Sequence, residues 1–533
     1  MNARARRRTT ERSSAVVVGG GIAGLASAAL LAREGYDVDL LEQRDDLGGR
    51  IGSWESQGFR FDTGPSWYLM PEVFDHFFEL FGHSAADDLG LTLLDPGYRV
   101  FFEGYPEAVD ISAERATNVA TFESIEAGAG TRLEEYLASA EDAYAVALRR
   151  FLYSNFDSPA SQLRWDVVAR TPRLVRLLTQ SLESFVADRF RDRRLTQILG
   201  YPAVFLGTSP DRAPSMYHLM SRLDLADGVL YPKGGFVRLL QVVADLARFE
   251  GARLHTGATV TAVTTRPRSG RRGRATVTGV RYRDSHGTER ALSADVVVGA
   301  LDVHHLETEL LPEDLQTYPQ SYWDTRDPGP GAVLACLGVT GPVPQLPHHS
   351  LFFIADWRGN FDDIFGDRPR VPEPASVYVC KPSETDPTVA PPGCENLFVL
   401  VPVPADVTLG RGGVDGAGDP QVEKVADAAI DQIAAWAGID DLRSRIAVRR
   451  TFGPGDFAAD LNAWSGGALG PAHTLRQSAF FRTGNTSQKV SGLFYAGAST
   501  VPGIGLPMCL ISAELMVKRL RGDRSSEPLD VPA

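Results

Sequence analysis

Residues 15–50 read AVVVGGGIAGLASAALLAREGYDVDLLEQRDDLGGR. Ala15–Val18 is an apolar run the size of a buried parallel strand. Gly19, Gly21 and Gly24 follow as G-x-G-x-x-G: Gly19 allows the tight turn, Gly21 lets backbone approach a pyrophosphate, and Gly24 lets a helix lie close to the strand. Ala and Leu, good helix formers, dominate Ile22–Glu34, and Gly35 stands where a helix end takes the left-handed conformation. A diphosphate belongs at the positive end of that helix. Val38–Leu41 is a second strand, and Glu42 ends it, placed to accept from a pair of ribose hydroxyls. Strand, glycine turn, helix, strand and terminal acid in register specify a dinucleotide site.

Leu47-Gly48-Gly49-Arg50 and Phe61-Asp62-Thr63-Gly64-Pro65 come soon after it, and far downstream residues 493–515 read LFYAGASTVPGIGLPMCLISAEL. In that last block Gly497 and Ala498 allow backbone to approach a ribityl-pyrophosphate. Gly503, Gly505 and Pro507 bend the chain so that Met508 opens a helix, whose N-terminus favours negative charge. One site built from both ends of the chain fits a large FAD enzyme better than an NAD domain. Asp295–Ala300 has the look of a further buried strand but no second glycine fingerprint, so no nicotinamide site is expected.

GGGIAGL, LEQ, LGGR and FDTGP together resemble the flavin-dependent amine oxidase and carotenoid desaturase superfamily. Within it FLGTSPDRAPSMYHLM (205–220), GVLYPKGG (228–235), TDPTVAPPGCENLFVLVPVP (385–404) and HTLRQSAFFR (473–482) resemble the bacterial-type phytoene desaturases. The likeness runs from about residue 15 to 520; Tyr495, Val501 and Ile504 depart from the pattern. It implies an α/β protein: a Rossmann-type FAD-binding domain assembled from discontinuous segments, and an α+β substrate domain with an antiparallel sheet and helical cap. It implies FAD held by Gly19, Gly21, Gly24, Glu42, Gly49, Arg50, Gly64, Pro65, Gly497, Ala498, Gly505 and Met508, with Val260 touching the adenine through its backbone. The implied reaction is dehydrogenation of phytoene or a related C40 carotenoid precursor drawn from membrane lipid, with oxygen or a quinone as electron acceptor. The implied place is the cytoplasmic, inner face of the cell membrane, and a homo-oligomer is compatible with it. Asp166 and Arg170, in RWDVVARTP, match a region where an acid and a nearby Arg face the cavity; as a plain (i, i+4) pair they would be a surface ion pair instead. The neighbouring readings are a desaturase or isomerase of a later carotenoid, an amine or protoporphyrinogen oxidase, and a non-catalytic prenyl-binding chaperone on the same fold.

The chemistry suits the residues. A flavin takes hydride from carbon without metal or thiol. The neighbouring carbon then sheds a proton to a weak base, which fits a sequence without a Ser-His-Asp set or a Cys-His pair. No metal is expected: the 10 His show no ligand spacing, and the adjacent pairs His304-His305 and His348-His349 read as loop residues pointing to opposite faces. Cys336, Cys380, Cys394 and Cys509 form no CxxC, which leaves reduced structural thiols.

A chain of 533 residues with 43% hydrophobic and 23% charged content is globular and too long for one core. Its net charge of −13 argues against nucleic acid. Residues 15–32 are uncharged and approach the length of a membrane span, but three glycines interrupt them and the strand–turn–helix reading uses every residue, so neither a span nor a signal peptide is expected. Residues 1–14 carry five Arg and one Glu and read as a basic disordered tail, with attraction to anionic lipid as the sharper alternative.

The FAD-binding domain is expected from 15–110, 231–305 and 451–520, the substrate domain from 111–230 and 306–450, and a tail from 521–533. Long helices are expected over Thr131–Phe151 and Thr171–Gly200, and a mobile Gly-rich loop over Leu409–Pro420. Phe74, Phe77, Phe78 and Phe81 fall at helical spacing, suited to core packing or, secondly, to dipping into a membrane. Asp62 is expected to brace the FAD turn.

Overall fold

The computed structural model describes residues 12–156, 171–267 and 273–532; Asp166 and Arg170 lie outside the described residues. A five-stranded parallel sheet runs in the order Leu493–Tyr495, Val296–Gly299, Ser14–Val18, Asp37–Leu41 and Arg253–His255. It is stitched from three distant segments, as expected. Val16, Val17, Val297 and Val298 are all buried, because helices cover one face of the sheet and a second sheet the other. Helices Ile22–Arg33, Phe236–Phe249 and Leu506–Arg521 share one core with the strands. On the opposite side lies an antiparallel set, Thr259–Arg266, Ala275–Arg283 and Glu289–Ser293. The N-terminal half of the fingerprint and the C-terminal helix therefore meet on one layer.

A seven-stranded sheet forms the second domain, ordered Ile446–Phe452, Gly331–Thr340, Cys394–Val403, Val377–Cys380, His349–Phe353, Tyr98–Phe102 and Val109–Ile111. It is antiparallel except where His349–Phe353 runs parallel to Tyr98–Phe102. The last two strands sit in the segment that the sequence reading grouped with the nucleotide domain; they close the far edge of the substrate sheet instead. Helix Pro420–Ala437 covers its outer face. Helices Arg115–Ile125, Ala129–Ala147, Leu182–Ala187 and Arg193–Gly200 build the cap beside it.

Several local expectations change. The stretch Thr171–Gly200 is three helices, Thr171–Thr179, Leu182–Ala187 and Arg193–Gly200. Ser181 and Asp192 begin the second and third by accepting the N–H of Ser184 (3.2 Å) and Arg194 (2.9 Å), the N-cap role that such side chains fill best. The Leu409–Pro420 stretch is pinned rather than loose: Gly412 N–H donates to Asp456, Gly413 N–H to Thr451 Oγ1, and Arg411 pairs with Asp456. Phe74, Phe77 and Phe78 are buried in the core, so their spacing marks packing. The segment after Arg521 is tied down by Lys518 Nζ, which donates to the carbonyls of Ser525 and Glu527. Among the described residues no helix is long and apolar enough to cross a membrane.

Candidate active site

The three fingerprint glycines do different work. Gly19 has φ +107°, where L side chains are strained, and a Cβ there would meet the Ala300 carbonyl. A Cβ on Gly24 would run into the carbonyl oxygen of Gly19, so Gly24 is what brings helix to turn. Gly21 is different: it is the N-cap of Ile22–Arg33 with φ −76°, and the nearest atom to an added Cβ would be 3.7 Å away. A Cβ there would touch the Gly48 and Gly49 backbone without a clash, and Gly21 itself faces the cavity. Glu42 is buried and steadies the same turn, one carboxylate oxygen accepting from Gly20 N–H (2.7 Å) and the other from Arg44 N–H (2.9 Å). A carboxylate oxygen holds more than one lone pair, which leaves acceptors for a ribose at the cavity wall that Glu42 lines.

The second shell of this cradle comes from the glycines downstream. A Cβ on Gly64 would strike the Arg50 carbonyl, so Gly64 lets Pro65 and Arg50 lie side by side. Arg50 donates through Nε to the Ala468 carbonyl (2.9 Å), while its Nη2 is buried without a protein partner. The C-terminal block closes opposite. Gly497 N–H donates to Ser512 Oγ (3.0 Å), Gly505 caps the helix that begins at Leu506, and Met508 sits in its first turn.

A single cavity of about 1160 Å³ takes in all of this. Gly19, Gly21, Glu42, Gly49, Arg50, Gly64, Pro65, Val260, Gly497, Ala498, Gly505 and Met508 line it, and Gly24 packs just behind. A glycine facing the cavity at Gly21, an Arg50 nitrogen buried without a partner and a helix N-terminus facing one cleft fit an extended anionic dinucleotide such as FAD.

Beyond the cradle the cavity wall becomes aromatic. Trp67 stacks on His349 (4.6 Å between centroids) and meets Tyr98 and Phe205 at 5.3 and 5.5 Å. Leu351, Phe353, Phe398 and Leu400 continue the surface from the substrate sheet, and Met216 and Met220 from the cap. Few polar groups interrupt it. Ser66 Oγ lies 2.6 Å from Tyr378 Oη, which lies 2.8 Å from His349 Nδ1. Behind Tyr201, Asp224 accepts the phenol protons of Tyr98 (2.9 Å) and Tyr201 (2.5 Å), and burial pushes its carboxyl up to about 7. The mouth carries Leu475, Phe480 and Phe481, exposed by 43%, 42% and 60%.

Three expectations are corrected here. Asp62 does not brace the nucleotide turn. Its carboxylate accepts from Phe236 N–H (2.6 Å) at the start of helix Phe236–Phe249, and burial raises it to about 6. The histidine pairs are not loop residues. His304 and His305 lie on helix Val303–Glu309. His348 and His349 are buried with ring centroids 4.6 Å apart, and their ring nitrogens and Cys380 Sγ fall within 4.8 Å of one another. The bend before the strand turns both rings inward, against the alternation expected of a regular strand. Nδ1 of His348 meets Thr385 Oγ1 (2.8 Å), and neither Nε2 has a protein partner. Burial holds His348 down at about 3 and pushes the Cys380 thiol up.

Two residues without a role in the sequence reading shape the site. Arg482, buried, donates to the carbonyls of Pro471 (3.0 Å), Gln477 (3.1 Å), Ala498 (2.5 Å) and Thr500 (3.0 Å). It thus fixes the 497–500 turn, and burial lowers it to about 10. His473 turns the Cε1–Nε2 edge of its ring to Gly503, where a Cβ would strike that edge. The HTLRQSAFFR stretch held both, but only the fold shows what they face.

Comparison with known proteins agrees with this geometry. Residues 22–520 match the family of flavin containing amine oxidoreductases. The chain is 41% identical over 507 residues to a carotenoid 3,4-desaturase of Haloarcula japonica, covering 95% of this chain and 98% of that one. It is 35% identical to a zeta-carotene-forming phytoene desaturase of Myxococcus xanthus, covering 96% and 94%. An oxidoreductase from Methanosarcina mazei shares the fold with a TM-score of 0.57 at 18% identity, over 95% of this chain and 100% of that one. With the cradle intact at both ends of the chain, the protein belongs to the flavin containing amine oxidoreductase family and is an FAD-dependent oxidoreductase.

Proposed function

We propose that this enzyme desaturates a carotenoid, taking phytoene toward the more conjugated carotenes neurosporene and lycopene. The observation that carries the reading is the continuity of one cavity, from the dinucleotide cradle through an aromatic and aliphatic wall to an exposed apolar mouth. A long hydrocarbon is the ligand class that such a wall suits, because it gains by burial and asks for no polar partners. Both full-length relatives described above bear carotenoid desaturase names.

FAD, when bound, supplies the hydride acceptor. The chain itself supplies positioning and exclusion of water. Leu351, Phe353, Phe398 and Leu400 form a dry floor for the polyene. The Arg482-braced turn sets the backbone of Ala498 and Thr500 at the cradle side. The single dinucleotide cradle goes to FAD, so the final electron acceptor is oxygen or a quinone, with no requirement for NAD. The substrate is insoluble in water and enters from lipid through Leu475, Phe480 and Phe481, in keeping with a peripheral enzyme on the cytoplasmic face of the cell membrane.

A later, hydroxylated carotenoid is the second reading. The specific observation in its favour is the Ser66–Tyr378–His349 group, a polar patch among the rings of the wall, which offers a substrate hydroxyl hydrogen-bond partners. Product analysis in a phytoene-accumulating host separates the two. Coloured carotenes are expected. Unchanged phytoene, with conversion when a hydroxylated carotenoid is supplied, would replace the first reading with the second.

A further inference from the structure

A desaturation removes two hydrogens, and the second leaves as a proton from the carbon next to the one that lost hydride. In a dry cavity that proton needs a way out. One chain of hydrogen bonds connects the flavin-facing turn with the exposed mouth. Ile504 N–H lies 3.1 Å from His473 Nε2, His473 Nδ1 3.0 Å from Tyr217 Oη, Tyr217 Oη 3.2 Å from Ser478 Oγ, and Ser478 Oγ 2.9 Å from the Thr474 carbonyl. His473, Tyr217, Ser478 and Ile504 all line the cavity.

The two backbone ends fix every proton between them. An amide N–H only donates, so His473 Nε2 is bare. Burial and the nearby Arg482 guanidinium keep the ring neutral, so its proton sits on Nδ1 and points to Tyr217. A carbonyl only accepts, so the Ser478 hydroxyl points to Thr474, and Tyr217 must donate to Ser478. Tyr217 therefore receives from His473, gives to Ser478, and keeps one lone pair. Ser478 is half-buried, in a stretch flanked by exposed Leu475 and Phe480.

We propose that Tyr217 and Ser478 are the exit route for the substrate proton, with His473 as the residue that positions Tyr217. The C–H bond breaks, its electron pair becomes the new π bond, and the proton binds the free lone pair of Tyr217 Oη. The proton that Tyr217 held moves to Ser478 Oγ, and the Ser478 hydroxyl turns from the Thr474 carbonyl to water at the mouth and gives its own proton up there. Rotation of the two hydroxyls restores the starting state. Burial raises the phenol of Tyr217, so it stays protonated and able to pass a proton on. A phenol is a weak base, and the carbon acid it serves is strong.

The inference rests on the desaturase reading. Its test compares the FAD-loaded parent with Tyr217→Phe and Ser478→Ala in carotenoid-containing liposomes. Both variants should keep their FAD. Tyr217→Phe should turn over about 100-fold more slowly, the scale of a lost acid–base group, and the solvent deuterium isotope effect of the parent should vanish. Ser478→Ala leaves the Ile504–His473–Tyr217 clamp whole, so a purely structural chain would leave its rate unchanged, whereas a proton route slows it as well. Nitrogen-15 spectra of labelled histidine, read in the resting protein without turnover, should show His473 as the Nδ1–H tautomer. A parent that converts no carotenoid ends the desaturase reading and this one with it. A working parent whose Ser478→Ala variant keeps full rate and isotope effect, or whose His473 carries its proton on Nε2, overturns the proton route alone.

Discussion

At one end of the cavity, between Gly19 and Arg50, the chain offers backbone; at the other, around Trp67 and Tyr378, it offers rings. The cradle is built by leaving side chains out. Gly19, Gly24 and Gly64 each sit where a Cβ would strike a carbonyl, and polar contacts there are made by main-chain N–H groups. The wall is built by crowding side chains in, and of its few polar atoms some pair with each other while Trp67 Nε1 and His349 Nε2 have no protein partner. Backbone geometry tolerates no substitution but gives a sharp sequence signature. Packed rings tolerate rearrangement and leave a diffuse one.

The contrast is sharpest within the fingerprint itself. Gly24→Val should cost the fold on the order of 3 kcal/mol or more, because the side chain must displace the Gly19 turn; thermal unfolding of the apoprotein reads it. Gly21→Val should cost the apoprotein far less than Gly24→Val, since its Cβ would meet only ordinary contacts with the Gly48 and Gly49 backbone, while bound FAD and activity fall to background. If Gly21→Val keeps its flavin, the cavity face at Gly21 is not where the pyrophosphate lies, and the division between structural and ligand-facing glycines fails.

At the ring end, Asp224 provides the test. Its carboxyl is raised to about 7 from 3.8 by burial, so the folded protein holds a proton that the unfolded chain releases. This group's contribution to stability is complete below about pH 4 and is lost as pH rises through about pH 7, worth a few kcal/mol across that window. Asp62, raised to about 6, acts in the same direction. Asp224→Asn should flatten the fall in stability between those limits, leaving the part due to Asp62. A variant that follows the parent curve at every pH would mean that Asp224 is ionised inside the cap and that the Tyr98 and Tyr201 protons alone hold it.

Sequence legibility follows the same division. Gly19–Glu42 could be read residue by residue because each requirement is local: a turn, a close approach, a strand end. The return of the 493–515 block to the nucleotide site was legible because Gly497, Gly503 and Gly505 again restrict backbone. Arg482 was not, since its four carbonyl partners lie 5 to 18 residues away along the chain and no spacing announces them. That Tyr98–Phe102, within the segment grouped with the nucleotide domain, joins the substrate sheet was not legible, because pairing with His349–Phe353 is a tertiary choice. Asp62 sits inside a cofactor-like motif, FDTGP, yet its partners are the N–H groups of Phe236 and Val237. Motif context pointed to one turn, and the fold used the residue at another.

The smallest effects concern attachment to lipid, for which the chain offers two devices of different physics. Phe480 and Phe481 are exposed rings on a cavity rim, and inserting such a ring into lipid is worth roughly 1.5–3 kcal/mol. Phe480→Ser with Phe481→Ser should weaken flotation with liposomes by about tenfold or more, at low and high salt alike, because the hydrophobic term is not screened. Removing residues 2–12 takes away the five N-terminal arginines, each worth about 1 kcal/mol near an anionic surface at most. That loss should reach about tenfold or more on anionic liposomes at low salt, vanish as the Debye length shrinks toward 3 Å near 1 M salt, and be absent on neutral liposomes throughout. FAD content should be unchanged in both proteins, since neither change touches the cradle. If the truncated chain binds anionic liposomes as the parent does at every salt concentration, the arginines take no part, and the aromatic rim alone holds the cavity mouth to the source of its substrate.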